Sequence, residues 1–149
     1  HVLVGTGVVV VDEQGLELLR YLVPQSDAAI RNRLLGKNCF VHSSVVFRKD
    51  AVVKLSGYDE TQSTRHLEDY DLWLRLAKKS TIAVIPEPML GYRVHQQSVT
   101  HGYGVRGAVA VWRIAYRYRR DYPHFLVACI CNTVRIIRDF LRYLVARFM

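Results

Sequence analysis

Glu68-Asp69-Tyr70-Asp71-Leu72-Trp73-Leu74-Arg75-Leu76 is the stretch on which the fold of this 149-residue chain turns. Leu67, Tyr70, Leu74 and Ala77 recur at helical spacing with Trp73 beside them, and Asp71 stands four residues before Arg75. That pattern predicts an amphipathic helix with one buried stripe and an i,i+4 ion pair. Glu68, Asp69 and Asp71 crowd the first turn, where the helix dipole favours negative charge. Two residues apart on a helix, Asp69 and Asp71 point about 200° away from each other, so the Asp-x-Asp string here is not a metal motif. The residues alone leave two readings open. The acids either decorate a helix start, or one of them faces a cleft after Thr64-Arg65-His66 and can take a proton from a hydroxyl nucleophile.

Upstream, residues 2–11 are β-branched and interrupted by Gly5 and Gly7, which predicts a strand with close backbone neighbours. A turn at residues 12–15 leads to a second strand over 16–23, and residues 28–35 form a short helix with Asp27 as its cap. Residues 39–47 read as a buried strand in which His42 and Ser43 are either satisfied core polar groups or site residues. A short helix over 51–55 stops at Ser56-Gly57. Downstream, a strand at 81–85 is ended by Pro86 and Pro88, and 89–95 is a further extended piece. Residues 96–104 are polar and glycine-containing, a mobile loop by composition. From Gly107 two helices follow, separated by Asp121-Tyr122-Pro123, with Arg135, Arg138 and Arg142 on one face of the second.

Half of the residues are apolar and 23% are charged, enough for a packed core and too ordinary for disorder. The net charge of +8 is unevenly placed. Residues 1–103 carry 12 Lys/Arg against 11 Asp/Glu, whereas residues 104–149 carry 9 Arg against Asp121 and Asp139. A whole-surface nucleic-acid binder is disfavoured and a basic C-terminal module favoured. Cys39, Cys129 and Cys131 make neither a disulfide framework nor a zinc spacing, and Cys129-x-Cys131 reads as buried filler in a reducing compartment. The apolar run at 125–131 is too short to cross a bilayer. The chain opens on His1 without an initiator Met and reads as a piece of something longer.

Four segments in order carry a resemblance: Asn38-Cys39-Phe40-Val41-His42-Ser43-Ser44-Val45-Val46-Phe47-Arg48, Leu55-Ser56-Gly57-Tyr58-Asp59-Glu60, Glu68 to Arg75, and Tyr92-Arg93-Val94-His95-Gln96-Gln97-Ser98-Val99-Thr100. They resemble, respectively, the donor-site segment, the G-G-Y-D-E turn, the E-D helix and the Y-R-x-H-x-x-S-x-S element of family 2 glycosyltransferases. The resemblance implies an α/β fold: a partial GT-A domain lacking its N-terminal nucleotide-binding half, plus C-terminal amphipathic helices. The division falls at 1–103, the acceptor-side part, and 104–149, a basic helical extension. Asp69 inherits the role of catalytic base and Glu68 a supporting one. Asn38, His42, Ser43, Arg93, His95 and Ser98 are implied to touch donor or acceptor, with His95 a candidate metal contact. The family's divalent metal, Mn2+ or Mg2+, is implied for the full-length enzyme, with none expected on this chain. Two departures stand out. No Asp-x-Asp precedes the donor-like segment, and Ser56 replaces the first glycine of the turn.

The resulting expectation is the C-terminal part of an inverting glycosyltransferase, inactive alone, which in the full enzyme moves a sugar from a nucleotide-sugar to a glycan, lipid or protein acceptor. It would either be a piece of a longer enzyme or a degenerate relative. Its place would be cytoplasmic, peripheral to the inner face of the cell membrane, with an anionic membrane surface and self-association as further contacts and no nucleic acid. The rival reading is a non-catalytic basic module that binds anionic membrane or a partner subunit.

Overall fold

A computed structural model describes residues 1–21, 23–61, 64, 66–95 and 104–148, with the side chains of 104–106, 139 and 142–148 outside the description. The predicted first strand is β1, Leu3–Val11. It pairs along its whole length with the parallel strand β4, Ile82–Arg93, from Leu3↔Ile82 to Val11↔Arg93. Because β4 fills one edge of β1, the other edge is shared. Antiparallel β2, Glu17–Tyr21, takes its C-terminal half, and the two-residue β3, Val46–Phe47, takes Leu3 and Val4. The outcome is a small mixed sheet centred on β1.

Gly5 and Gly7 do what the sequence predicts. A Cβ on Gly5 would stand 2.6 Å from the Phe40 ring, and one on Gly7 would stand 2.6 Å from the Pro86 carbonyl oxygen. Pro86 and Pro88 do not end their strand. β4 runs through them as an irregularity, with register shifts on both sides of Gly7, which pairs with Pro88. Proline cannot donate to a ladder, and a bulge on an edge strand is where it is tolerated.

Helix α1 spans Asp27–Leu34, and its cap is Ser26, one residue earlier than expected, whose hydroxyl accepts from the Ala29 amide. Asp27 is instead spent on docking. Its Oδ1 accepts from the Ile82 amide and its Oδ2 from Arg31 Nε, while Arg31 also donates to the Ser80 carbonyl. Burial works against the charge of Asp27, but the Arg31 and Ile82 donors outweigh it and hold the carboxyl below its usual pKa.

The segment expected as one buried strand over 39–47 is a 3-10 turn, His42–Ser44, followed by β3. Ser44 explains the change. Both its amide and its hydroxyl donate to the Val41 carbonyl at 2.8 Å, a local bond that competes with a sheet ladder. Helix α2, Lys49–Lys54, follows and closes on Ser56 and Gly57. Helix α3, Glu68–Lys79, buries Tyr70, Leu72, Trp73, Leu74, Leu76 and Ala77. Tyr70 reaches the end of α1, where its hydroxyl donates to the carbonyls of Leu34 and Leu35, two acceptors a helix terminus leaves without intrahelical partners.

Helices α4, Gly104–Arg117, and α5, Phe125–Phe148, complete the chain. The core does not stop at residue 103, where the two parts were expected to divide. Ile114, Ala115, Tyr118, Tyr122 and Ala128 belong to the same buried cluster as Leu3, Trp73 and Ile82. Tyr122 donates to the Leu74 carbonyl at 2.6 Å. Cys131 is exposed rather than filler, as follows from a helix that turns Cys129 and Cys131 to different sides. The expected loop at 96–104 lies, up to residue 103, outside the described residues.

Candidate active site

The N-terminus of α3 has no side-chain cap, since Leu67 occupies the cap position. Its acids fill that role. Asp69 Oδ1 accepts from the Tyr70 amide at 2.6 Å. Burial raises the Asp69 carboxyl above the usual aspartate value, and Glu68 adds to the rise. The Tyr70 amide and the nearby His42 oppose it without cancelling it. A half-buried carboxylate with raised basicity, next to a helix start, is the arrangement a general base needs.

The 3-10 turn brings His42 to this carboxylate. Its ring stacks on Trp73 at 6.0 Å and 29°, and its Nε2 stands 3.1 Å from the Tyr58 hydroxyl. Tyr58 in turn feels the helix start. Burial raises its phenol, and the charges of Asp69 and Glu68 raise it further. Under this group lies Trp73, fully buried among Phe40, His42 and Phe47. Its indole Nε1 has no hydrogen-bond partner among the described residues. Trp73 is thus the buried floor of this group. Tyr58 is not among the residues singled out from the sequence as site groups. It is 37% exposed, and its place in the turn Ser56-Gly57-Tyr58-Asp59-Glu60 was the signal available.

Asp71 leaves the site on the opposite side of α3, as the helical geometry requires. Its carboxylate is 1% exposed, takes Arg75 Nε at 2.7 Å and Tyr118 OH at 2.8 Å, and lies 3.3 Å from Arg117. Asp69 and Asp71 therefore serve different surfaces.

The remaining sequence-predicted residues are not gathered around Asp69. Asn38 uses its side-chain oxygen on the Phe40 amide, a local turn that sets up the approach to His42. Ser43 is exposed on the 3-10 turn beside His42. Arg93 stands at the far end of β1, paired with Val11, about 20 Å along the strand from the Gly5–Phe40 contact. There it donates to the carbonyls of Asp12 and Glu13 and pins the β1–β2 turn. His95 is exposed just beyond β4. Ser98 lies outside the described residues. Among the described residues no three His, Cys, Asp or Glu side chains stand together as metal ligands, so these residues do not by themselves fit the divalent ion that the resemblance implies.

The family model described as Glycosyltransferase like family 2 matches residues 18–124, a span that takes in the site and runs through α4. The chain is 35% identical over 123 residues to the O-antigen biosynthesis glycosyltransferase WbnJ of Escherichia coli, covering 80% of this chain and 45% of that protein. It is 34% identical over 117 residues to the amylovoran biosynthesis glycosyltransferase AmsE of Erwinia amylovora, covering 76% of this chain and 42% of that protein. The chain thus spans less than half the length of these curated relatives. No solved structure matches it.

Proposed function

The chain belongs to the glycosyltransferase-like family 2, and from that membership we propose that it supplies the acceptor-side part of an inverting glycosyltransferase that builds a cell-surface polysaccharide. The observation that carries this reading is the half-buried Asp69 carboxylate, raised in pKa and facing His42 and Tyr58. An acceptor hydroxyl gives its proton to Asp69 as its oxygen bonds to the anomeric carbon. The bond from that carbon to the nucleoside diphosphate breaks on the opposite face, and the diphosphate leaves with the electron pair. Glu68 supports Asp69 by keeping the carboxyl basic. The Nε2–hydroxyl contact keeps His42 and Tyr58 together, and Ser43 is exposed next to His42.

The nucleoside and the greater part of the metal site fall, in this reading, to a part of the enzyme that corresponds to the uncovered length of the relatives. Arg93, His95 and Ser98 are the proposed contacts to the donor diphosphate, with His95 also the proposed metal contact. For Arg93 that role requires release from the Asp12 and Glu13 carbonyls. The O-antigen and amylovoran assignments of the relatives favour a glycan or lipid-linked glycan acceptor, met peripherally at the inner face of the cell membrane. Exposed Leu16, Leu18 and Leu19 on and before β2 favour self-association of the chain on its own.

The test is transfer by an enzyme of the relatives' full length that carries this chain, with and without Asp69→Asn. Turnover should fall about 10²–10⁴-fold with donor affinity unchanged. Wild-type turnover in the variant would remove Asp69 as the base. Titration of the isolated chain with UDP- and GDP-sugars plus Mn2+ should give no tight binding, and submicromolar affinity would place the nucleotide site in these residues.

A further inference from the structure

Among its described side chains, helix α5 is packed on one side only. Ala128 and Asn132 are buried, and Gly36 at the end of α1 lies against Ala128. At about 100° per residue, Ile130 and Ile137 lie about 170° round the helix from that side. Leu126, Ile130, Val134, Ile137, Phe140 and Leu141 are all exposed there, Leu126 at 75% and Ile130 at 65%. The stripe therefore faces away from the body of the protein, where packing against α4 cannot reach it. Arg138 falls on a flank between the packed and the apolar sides, whereas Arg135 lies on the packed side, where it donates to Oδ1 of the buried Asn132. Among the described residues no helix is long and apolar enough to cross a membrane.

We propose that α5 is a membrane-surface helix that lies flat on an anionic bilayer, its outward stripe among the acyl chains and its arginine flank at the headgroups. Charge decides between this occupant and a second copy of the chain. Helix α5 carries Arg135, Arg138, Arg142 and Arg147 against Asp139 alone, so two copies of the helix brought together would oppose like charges. An anionic leaflet meets the same helix with the opposite sign. At 24 residues the helix is about 36 Å long, long enough to orient the attached sheet and helices relative to the bilayer plane. The tie is stiff, because α4 and the Tyr122 corner share the core that holds α3 and Asp69. Attachment by α5 rests on the peripheral location proposed above, not on the transfer chemistry.

Co-sedimentation of the chain with vesicles of phosphatidylglycerol and phosphatidylcholine, against phosphatidylcholine alone, tests this. Binding should require the anionic lipid and weaken with salt. Arg138→Gln should lower partitioning by about 5-fold, at roughly 1 kcal/mol per arginine. Ile130→Ser/Ile137→Ser should abolish binding, with circular dichroism unchanged because both side chains are exposed. Undiminished binding by both variants would overturn α5 as the surface while leaving the peripheral location standing. Absence of binding by the wild-type chain would overturn both, leaving the Asp69 chemistry untouched. A concentration-dependent dimer dissolved by Ile130→Ser/Ile137→Ser would make a second copy the occupant and overturn the proposal.

Discussion

The phenol of Tyr118 donates to the buried carboxylate of Asp71 over 2.8 Å, joining α4 to α3 across 47 residues of sequence. Arg75 and Arg117 complete the shell of that carboxylate. Removing one member of a buried, hydrogen-bonded ionic group leaves the others without compensation, typically at 3–5 kcal/mol.

Asp71→Ala should therefore destabilise the chain by about 3–5 kcal/mol, and Tyr118→Phe by about 1.5–3 kcal/mol. In a denaturant-melt double-mutant cycle the pair should show a coupling of about 0.5–3 kcal/mol. Additive losses would mean that the two helices are held by apolar contacts alone.

Asp69 should behave in the opposite sense. Its folded pKa lies above the usual aspartate value, so the carboxyl favours the fold while protonated. That contribution is complete below the ordinary pKa and is lost as pH rises through the folded one. Asp69→Asn should accordingly be more stable than wild type at neutral pH, with the gap closing in acid. Thermal melts across pH 3–8 on wild type and variant read it, and a variant less stable at pH 7 would contradict the burial assigned to this group. In the full-length enzyme, the acid limb of kcat/KM should lie above the ordinary carboxylate range.

Ser56 adopts φ of 62° and Gly57 φ of 71°. Left-handed backbone suits glycine and strains other residues, which gives a physical reason for a double glycine in this turn. Ser56→Gly should stabilise the chain by about 0.5–1 kcal/mol, since relief of strain exceeds the added freedom of the unfolded chain. A loss of stability in urea melts would show that the serine hydroxyl matters more than its backbone.

Gly7→Ala should cost about 1–3 kcal/mol, because the new methyl would meet the Pro86 carbonyl, which is backbone and cannot swing away. Gly5→Ala meets the Phe40 ring and should cost less if that ring can tilt. A calorimetric Tm equal to wild type for Gly7→Ala would show that the β4 irregularity is soft.

Much of this was legible in the residues themselves. The period of Leu67, Tyr70, Leu74 and Ala77 gave α3 its buried face, and the 200° divergence of Asp69 and Asp71 gave the two acids separate surroundings. Local preference misled where tertiary or side-chain bonds compete with it. Ser44 folds its own backbone into a turn, which no apolar run announces, and that turn places His42 beside Asp69. Strand β4 passes through two prolines because β1 pairs on both sides of them. The reach of Tyr118 and Tyr122 into α3 depends on contacts 47 and 48 residues away, beyond any window of sequence. The roles proposed for Asp69 and Glu68 rest on resemblance, and the contact of Tyr58 with His42 emerges only from the fold.

Pro86 and Pro88 have one further effect. Among the described residues β4 pairs with β1 alone, so its other side is a sheet margin, and residues 85–89 are all exposed there. A long, regular margin is a template on which foreign strands assemble into fibrils. Two missing amide donors and a shifted register break that template in the middle of the strand. The prolines that obscured β4 in the sequence thus act as gatekeepers, keeping a Val- and Ile-rich sheet from growing beyond its own chain.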